Sequence, residues 1–402
     1  MSIEDKIIKF SRSRNEPEWL TNLRLLNFRK YFDIKKKSIS DSPLEKRYTT
    51  FDIEEFLDNI PEETQIGKFM EEKDYFVIDY TKNGKLEINP KSLKSTTLTG
   101  IRNAILMYPD LLKSSMENAN DEWTALGNAL WDTGIFVNVP EERRCERIMK
   151  FKTIFPEHVI VKKDLFNIGA NSFLQFVEYS NATEKFTGIE ETSIFIGQNS
   201  SLKHLTMIDG GGSKMASIKN SHIMSHAMDE WYYAVKNVGK HIIVTNADLS
   251  GEYSSLEHKG AILANGMEHY DVNTNIFHNA HHTKSDANVR ATLEGNSRAI
   301  MRGSIKVSKY ANDSNAYFSG NALLLSENAK SNALPFLEIE GDRAVAKHAA
   351  SATNVDYDQL FYIQSRGVNE RSAKNLLVEG FLDPVVRQIL IYEGTRYLIY
   401  YD

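Results

Sequence analysis

The sequence predicts a mainly β protein with a long β-rich centre between helical ends, and three observations carry that expectation. No proline occurs between Pro156 and Pro335, while Ser, Asn, Thr, Gly and β-branched residues abound over this span. Short apolar or alternating runs recur there, at Ser193-Ile194-Phe195-Ile196, His241-Ile242-Ile243-Val244, Ile305-Lys306-Val307 and Phe336-Leu337-Glu338-Ile339, separated by turn signals such as Asp209-Gly210-Gly211-Gly212 and Asn265-Gly266. Helical periodicity of useful length is confined to the flanks. Many short strands build a sandwich, a barrel or a parallel β-helix; in the last, a coil cannot bury its apolar face alone and stacks on the next. The missing prolines and small polar turns suit the β-helix, yet no exact repeat is visible, so composition leaves these architectures open.

Element by element, Asn15-Glu16-Pro17-Glu18-Trp19 opens a helix, with an N-cap candidate, acidic first-turn residues and Pro near the first helical position. Trp19, Leu20, Leu23, Leu26 and Phe28 then recur at roughly helical spacing, with Arg24, Arg29 and Lys30 between them. Helices are also predicted from Asp52 to Leu57 and from Pro109 to Met116, and a hairpin from Tyr75 to Ile88 turning at Asn83-Gly84. Near the C-terminus, Asp356 with Gln359 forms a variant capping box for a helix ending about Gly367. Ala373, Leu376, Leu377 and Phe381 mark one face of a second helix, and Asp383-Pro384 opens a third. The expected units are residues 1–145, helical with a short hairpin; 146–343, the β core; and 344–402, helical.

The 402 residues are too many for one ordinary core. A net charge of -6 argues against a nucleic-acid binder. No apolar run is long enough to cross a bilayer and the start lacks the apolar block of a secretion signal, so a cytoplasmic location is expected. The single cysteine, Cys145, excludes an intramolecular disulfide and any cluster site built from this chain's thiolates alone.

Ordered motifs over nearly the whole chain resemble the SufB/SufD family of iron–sulfur cluster assembly scaffolds. They include Pro335-Phe336-Leu337-Glu338-Ile339, then His348 followed by small residues, Leu360-Phe361-Tyr362 with Ser365-Arg366-Gly367, and Ala373 with Leu376-Leu377 and Phe381. Upstream, Asp271, His278, Thr283 and Ser285, the segment Arg302-Gly303-Ser304-Ile305-Lys306-Val307, and Glu16-Pro17-Glu18-Trp19-Leu20 with Leu23-Arg24 fit as well. So do Leu126-Gly127-Asn128-Ala129-Leu130-Trp131 and Gly134-Ile135-Phe136-Val137-Asn138-Val139-Pro140. The resemblance implies a right-handed parallel β-helix between helical terminal domains. It also implies a non-catalytic subunit working with the ABC-type ATPase SufC and with a SufB-type partner, or as a homodimer through the β-helix. Such a subunit handles a transient iron–sulfur cluster for apo recipient proteins, with a reduced flavin as a further family cofactor. SufB-type chains carry a cysteine after the Phe-Tyr pair and a Glu after the C-terminal His, where this chain has Ile363 and Ala349. Together with Leu44-Glu45-Lys46-Arg47-Tyr48-Thr49, this makes the chain more SufD-like than SufB-like.

Candidate site residues each carry a functional and a structural reading. His348 is the candidate iron or cluster ligand, since imidazole can replace thiolate at iron; structurally it would be hydrogen-bonded between the last β-coil and the first C-terminal helix. Nine of the eleven histidines lie between His204 and His282. Strand parity prevents His278, His281 and His282 from converging on one ion, so these histidines are read as surface polar ladders, with His278 kept as a second site candidate from its family match. Phe361, Arg366, Arg371 and Phe381 are candidates for docking the ATPase, with some of the apolar face needed for the local core. Cys145, among charges, is read as an incidental thiol. Asp209-Gly210-Gly211-Gly212 lacks the ending of a phosphate loop, so ATP hydrolysis is assigned to a partner. Two other classes compete with the scaffold: a β-helix polysaccharide-acting enzyme, and a purely structural interaction module.

Overall fold

Residues 3–37, 56, 67–72, 75–83, 96–117, 119–145, 148–341 and 343–393 are described by the structure, a computed structural model. One sheet, called A, is built in spatial order from β1 (Gly67–Glu72), β2 (Tyr75–Asn83), β5 (Met149–Ile154), β7 (Phe173–Asn181), β9 (Ser201–Asp209), β11 (Met228–Lys236), β13 (Ser255–Ala264), β15 (Lys284–Leu293), β17 (Asn315–Leu324) and β19 (Val345–Asn354). Sheet B runs β3 (Thr97–Gly100), β4 (Ile135–Val139), β6 (Val159–Ile168), β8 (Thr187–Ile196), β10 (Lys214–Ile223), β12 (Lys240–Leu249), β14 (His269–His278), β16 (Arg298–Val307) and β18 (Lys330–Ile339). From β4 and β5 onward all pairing is parallel, and the link between two neighbours in one sheet is a strand of the other. The result is a two-sheet parallel β-solenoid, which decides among the architectures that composition left open.

Parallel neighbours need a long crossover, and here each crossover is itself a coil edge. At one row of corners, Asn171, Asn199, His226, Tyr253, His282 and Asp313 all have φ between 52° and 59°. Their N–H groups reach the next coil, for instance Asn199 to the Ser225 carbonyl at 3.0 Å and His226 to that of Glu252 at 2.8 Å. The residue after each is small and buried: Ser172, Ser200, Ala227, Ser254, Thr283, Ser314. Asparagine favours this left-handed conformation; His and Tyr do not, which hides the corner row in the sequence. Coil length also drifts. Stacked partners are 26 residues apart at Asn220–Asn246, 29 at Asn246–Asn275 and 30 at Asn321–Ser351, so no fixed repeat emerges. Every interior strand uses its N–H groups in ladders; Pro335 stands in β18, an edge strand, where a missing donor is tolerated.

An apolar core runs between the sheets through Phe151, Phe166, Phe176, Ile194, Ile243, Val289 and Phe318. Two helical layers cover the outer faces. Over sheet B lie helices α1 (Ile3–Ser13), α2 (Glu18–Lys37), α3 (Ile101–Met107), α4 (Pro109–Glu117) and α5 (Glu122–Leu130). They bury Leu20, Phe28, Leu112 and Leu126 with Val161, Ile189, Ile218 and Val244 of the strands. Asp121 caps α5, accepting from the Trp123 and Thr124 backbone N–H groups. Arg24 ties this layer together: fully buried, it donates from Nε and Nη2 to Glu16 at 2.8 and 2.9 Å and from Nη1 to the Ala129 and Trp131 carbonyls.

After the solenoid come α6 (Tyr357–Ser365) and α7 (Glu370–Glu393). Val378, Leu382, Val385 and Val386 of α7 pack on Val177, Leu205, Tyr232 and Ala261 of sheet A. Three expectations change here. The second and third predicted C-terminal helices are one helix with Pro384 inside it. Burial of Val378 and Leu382 before Pro384 and of Val385 and Val386 after it outweighs the hydrogen bond that the proline removes. The β core does not end at 343, because β19 extends the solenoid to Asn354. Tyr75–Asn83 is one strand whose antiparallel partner is the preceding β1, so its pairing does not turn at Asn83-Gly84. Gly84 to Ile88, the Leu44–Thr49 motif and all of the helix predicted from Asp52 to Leu57 except Phe56 lie outside the described residues.

Among the described residues, Arg24→Ala leaves the buried Glu16 carboxylate only Arg102, at 3.4 Å, and the Ser11 hydroxyl, so folding stability should fall by about 3 kcal/mol; chemical denaturation at neutral pH measures it.

Candidate functional site

The last coil, β18 and β19, is chemically unlike the others. Among the described residues each of these strands has a sheet neighbour on one side only, leaving a row of backbone groups without a ladder. Ile339, in register with the buried Val307 of the preceding coil, is 45% exposed here, and Val345 and Phe336 are exposed as well, at 53% and 37%. His348 lies in this coil. Register places it in line with Phe318, Ala287, His258, Trp231, His204 and Phe176, all buried inside the solenoid. His348 therefore sits on the inward-facing side of β19, yet is exposed because no further coil covers it. It is on the strand, not at a junction with α6.

Deeper in, the solenoid holds a charged network that sequence reading missed. The Lys162 ammonium lies 2.9 Å from Asp164, 2.8 Å from Glu178 and 3.3 Å from Glu190. Burial opposes its charge, but the three carboxylates more than offset this and hold its pKa well above the ordinary value. One cation cannot ionise three buried acids fully. Burial pushes Glu190 up to about 7 and Asp164 to about 6, despite Lys162, while Glu178, also near Lys219, stays below its usual range. Lys219 donates to Thr206 Oγ1 at 2.7 Å and to His204 Nδ1 at 3.2 Å. The other ring nitrogen, Nε2–H, donates to Asp229 at 2.9 Å, and Ser221 donates to the same carboxylate at 2.7 Å. Burial, helped by Lys219, brings His204 down to about 4, so it is neutral at pH 7. A cavity of about 30 Å³ beside Lys219 is lined by Glu178, Glu190, Trp231, Tyr233 and His241. It faces Tyr233 Oη and His241 Nδ1, which find no hydrogen-bond partner among the described residues, and has room for about one water-sized polar molecule.

Histidines read as surface ladders divide in two. His204, His241, His258 and His278 are at most 2% exposed; His226 and His282 stack on either side of Tyr253 at the corners, 4.9 and 4.6 Å away. The parity argument assumed one strand through His282, but β14 ends at His278. His278 bonds Thr283 Oγ1 through Nδ1 at 2.7 Å and Ser285 Oγ through Nε2 at 2.9 Å. Burial lowers its pKa to about 4. With both ring nitrogens engaged inside the corner, it presents none to a metal. Cys145 is half-buried, with Sγ 3.1 Å from Thr96 Oγ1, beside the first strands and remote from β19 along the stack. Among the described residues no three His, Cys, Asp or Glu side chains converge to hold a metal.

The docking candidates separate as well. Phe361, Tyr362 and Leu376 are 71%, 60% and 50% exposed, and Arg366 donates to Tyr362 Oη at 3.1 Å. Arg371 is exposed at the start of α7. Phe381 instead packs on sheet A, its ring under the Arg290 guanidinium at 5.3 Å. Leu360, Ala373, Ile363 and Leu377 fill the small core between α6, α7 and Val355. Strand parity plus coil register would have found the interior residues, but register is absent from a sequence whose coil length drifts.

Comparison with known proteins adds a family. Residues 152–381 match the model described as SUF system FeS cluster assembly, SufBD core domain. The chain is 25% identical to the iron-sulfur cluster assembly protein SufD of Bacillus subtilis, the alignment covering 98% of this chain and 96% of that one. It is 21% identical to the chloroplastic SufBD family protein ABCI8 of Arabidopsis thaliana, over 96% of this chain and 76% of the relative. The SufBD family protein ycf24 of Porphyra purpurea is 21% identical, over 96% and 88%.

Glu190 has a higher pKa folded than unfolded, so its stabilising contribution is complete below pH 4.5 and is lost as pH rises towards 7. Glu190→Gln removes that loss: across this window the variant should gain on the parent by on the order of 3 kcal/mol, measured as the difference between their denaturation free energies at each pH.

Proposed function

This chain belongs to the SufBD core family of the SUF iron–sulfur cluster assembly system, and from that premise we propose that it is a SufD-like, non-catalytic scaffold subunit whose open last coil is the assembly surface. The observation that carries the proposal is the uncapped β18–β19 coil with His348 exposed on its inward-facing side. A sheet edge of this kind is completed by strands of another subunit, here a SufB-type chain or a second copy. One imidazole supplies one ligand, so a cluster held at His348 as cargo needs its remaining ligands, thiolates above all, from the partner. This fits a chain with Ile363 and Ala349 where SufB-type chains carry Cys and Glu. His278 has no part in it.

In this proposal Phe361, Arg366 and Arg371, joined by Tyr362 and Leu376 and without the packed Phe381, dock the ABC-type ATPase SufC. That ATPase hydrolyses ATP and shifts the paired scaffolds between two states through contacts that differ with nucleotide. Apo iron–sulfur proteins are the recipients and the cytoplasm the compartment; no helix among the described residues is long and apolar enough to cross a membrane. A polysaccharide-acting enzyme needs acids in an open groove. Asp164, Glu178 and Glu190, which gather around Lys162, are buried in the interior, beyond reach of a glycan.

Two measurements test this. Ile339→Lys with Val345→Lys places two charges on the open coil; native mass spectrometry should show loss of the dimer or of the SufB-type complex, with the circular dichroism spectrum unchanged. In anaerobic reconstitution with iron and sulfide, the assembled complex carrying His348→Ala should hold less than half the parent's cluster, and an equal yield removes His348 from the site.

A further inference from the structure

On the outer face of sheet B, one ladder position carries Phe195, His222, Asp248 and Phe277 on the successive strands β8, β10, β12 and β14. The Phe195 and His222 rings lie one over the other, centroids 4.9 Å apart and planes 13° from parallel. Flat rings thus stack here at one layer per strand, the spacing of the sheet itself. Asp248 is too short to fill the next layer, and Phe277 supplies the one after it. Two strand spacings separate the His222 and Phe277 layers, about 9.6 Å, which leaves the thickness of one flat group between them. That space is open: the three residues line, with Asn120, Asn220 and Asn246, a cavity of about 200 Å³.

The slot has flat walls and an edge made of acceptors. Asp248 accepts from Asn279 Nδ2 at 2.7 Å, and its other oxygen lies 3.6 Å from His222 Nδ1. Burial raises its pKa, but hydrogen bonds from His222, Ser250 and Asn279 more than offset this and keep the carboxyl below its usual range. A carboxylate has about four lone-pair sites, so capacity remains towards the slot. The Asn220 and Asn246 amide oxygens each accept one N–H from the next asparagine, both at 2.8 Å, and can accept another. An ammonium group has no flat face for the walls, and a neutral aromatic ring brings no charge to the carboxylate. A guanidinium has the flat faces, the charge and the in-plane donors together.

We propose that the slot over Asp248 is a binding site for a guanidinium group, lying flat between His222 and Phe277 and hydrogen-bonded edge-on to the Asp248 carboxylate. Free arginine and an arginine side chain of a polypeptide share this chemistry. The site stands on a different face from the last coil and holds whether or not the scaffold reading does.

The test titrates the full chain, labelled with 13C in its histidines, with L-arginine, N-acetyl-arginine amide, L-lysine and citrulline, following the ring resonances by NMR. An arginine compound should shift the His222 signals saturably in the millimolar range, with lysine and citrulline at least tenfold weaker. Stronger binding of the capped compound supports a polypeptide source; stronger binding of the free amino acid supports the metabolite. Asp248→Asn should weaken binding about tenfold, and Phe277→Leu should weaken it by removing one wall while the remaining histidine signals stay in place. The proposal is overturned if His222 shows no saturable shift, if lysine matches arginine, or if neither substitution changes the affinity.

Discussion

The parallel backbone ladder between coils is the constraint on which the rest of this molecule depends. A strand in such a stack satisfies its N–H and C=O groups only through the strands before and after it in the sheet. Interior coils meet this condition on both sides; a terminal coil cannot. At the start of the stack the chain adds short antiparallel strands, β1 on β2 and β3 on β4. At the other end no further strand follows among the described residues, and Pro335 and an exposed His348 are tolerated there. The same rule that keeps proline out of the interior coils creates an open edge among the described residues.

Helices pack on the outer faces of both sheets, which leaves the last coil's edge uncovered among the described residues. Sheet B buries Val161, Ile189 and Val244 beneath the N-terminal layer, and sheet A buries Leu205, Tyr232 and Ala261 beneath α7. Arg24 and Glu16 fasten one layer, and Val378, Leu382 and Val386 the other. Part of α6 and the start of α7 remain outside this packing, which is why Phe361 and Phe381, both apolar and both in matching motifs, end in opposite environments.

The interior of the solenoid is more polar than its apolar columns suggest. Lys162 serves three acids, and His204 stands neutral between Lys219 and Asp229. Such buried charge costs stability that hydrophobic side chains of equal size would not. Proton uptake at Glu190 reduces the cost, because a neutral carboxylic acid needs no counter-charge. The network thus couples the interior of the stack to pH.

Much of this architecture was legible beforehand. The absence of proline, the Asn, Gly and Ser turns and the flanking helix signals followed from local rules, and the motif from Pro335 to Phe381 pointed to the family. Where local rules failed, a distant contact had prevailed. Burial on sheet A carries α7 through Pro384, and β19 belongs to the solenoid because β17 offers it a ladder, although its Ala- and Ser-rich sequence has little strand character. Histidines 204, 258 and 278 looked like surface polar residues because inward and outward positions differ only by parity, and parity has meaning only once strand ends are known.

By itself, then, the sequence determined the class of elements, their order and the family, since these rest on side-chain propensities and motifs within a few residues of one another. Only the tertiary structure decided the register of the coils. Register depends on backbone ladders between residues 26 to 32 positions apart from coil to coil, at intervals that vary. It is register that put His348 in line with a buried column, sealed His278 in a corner, and set His222 and Phe277 two strand spacings apart on either side of Asp248.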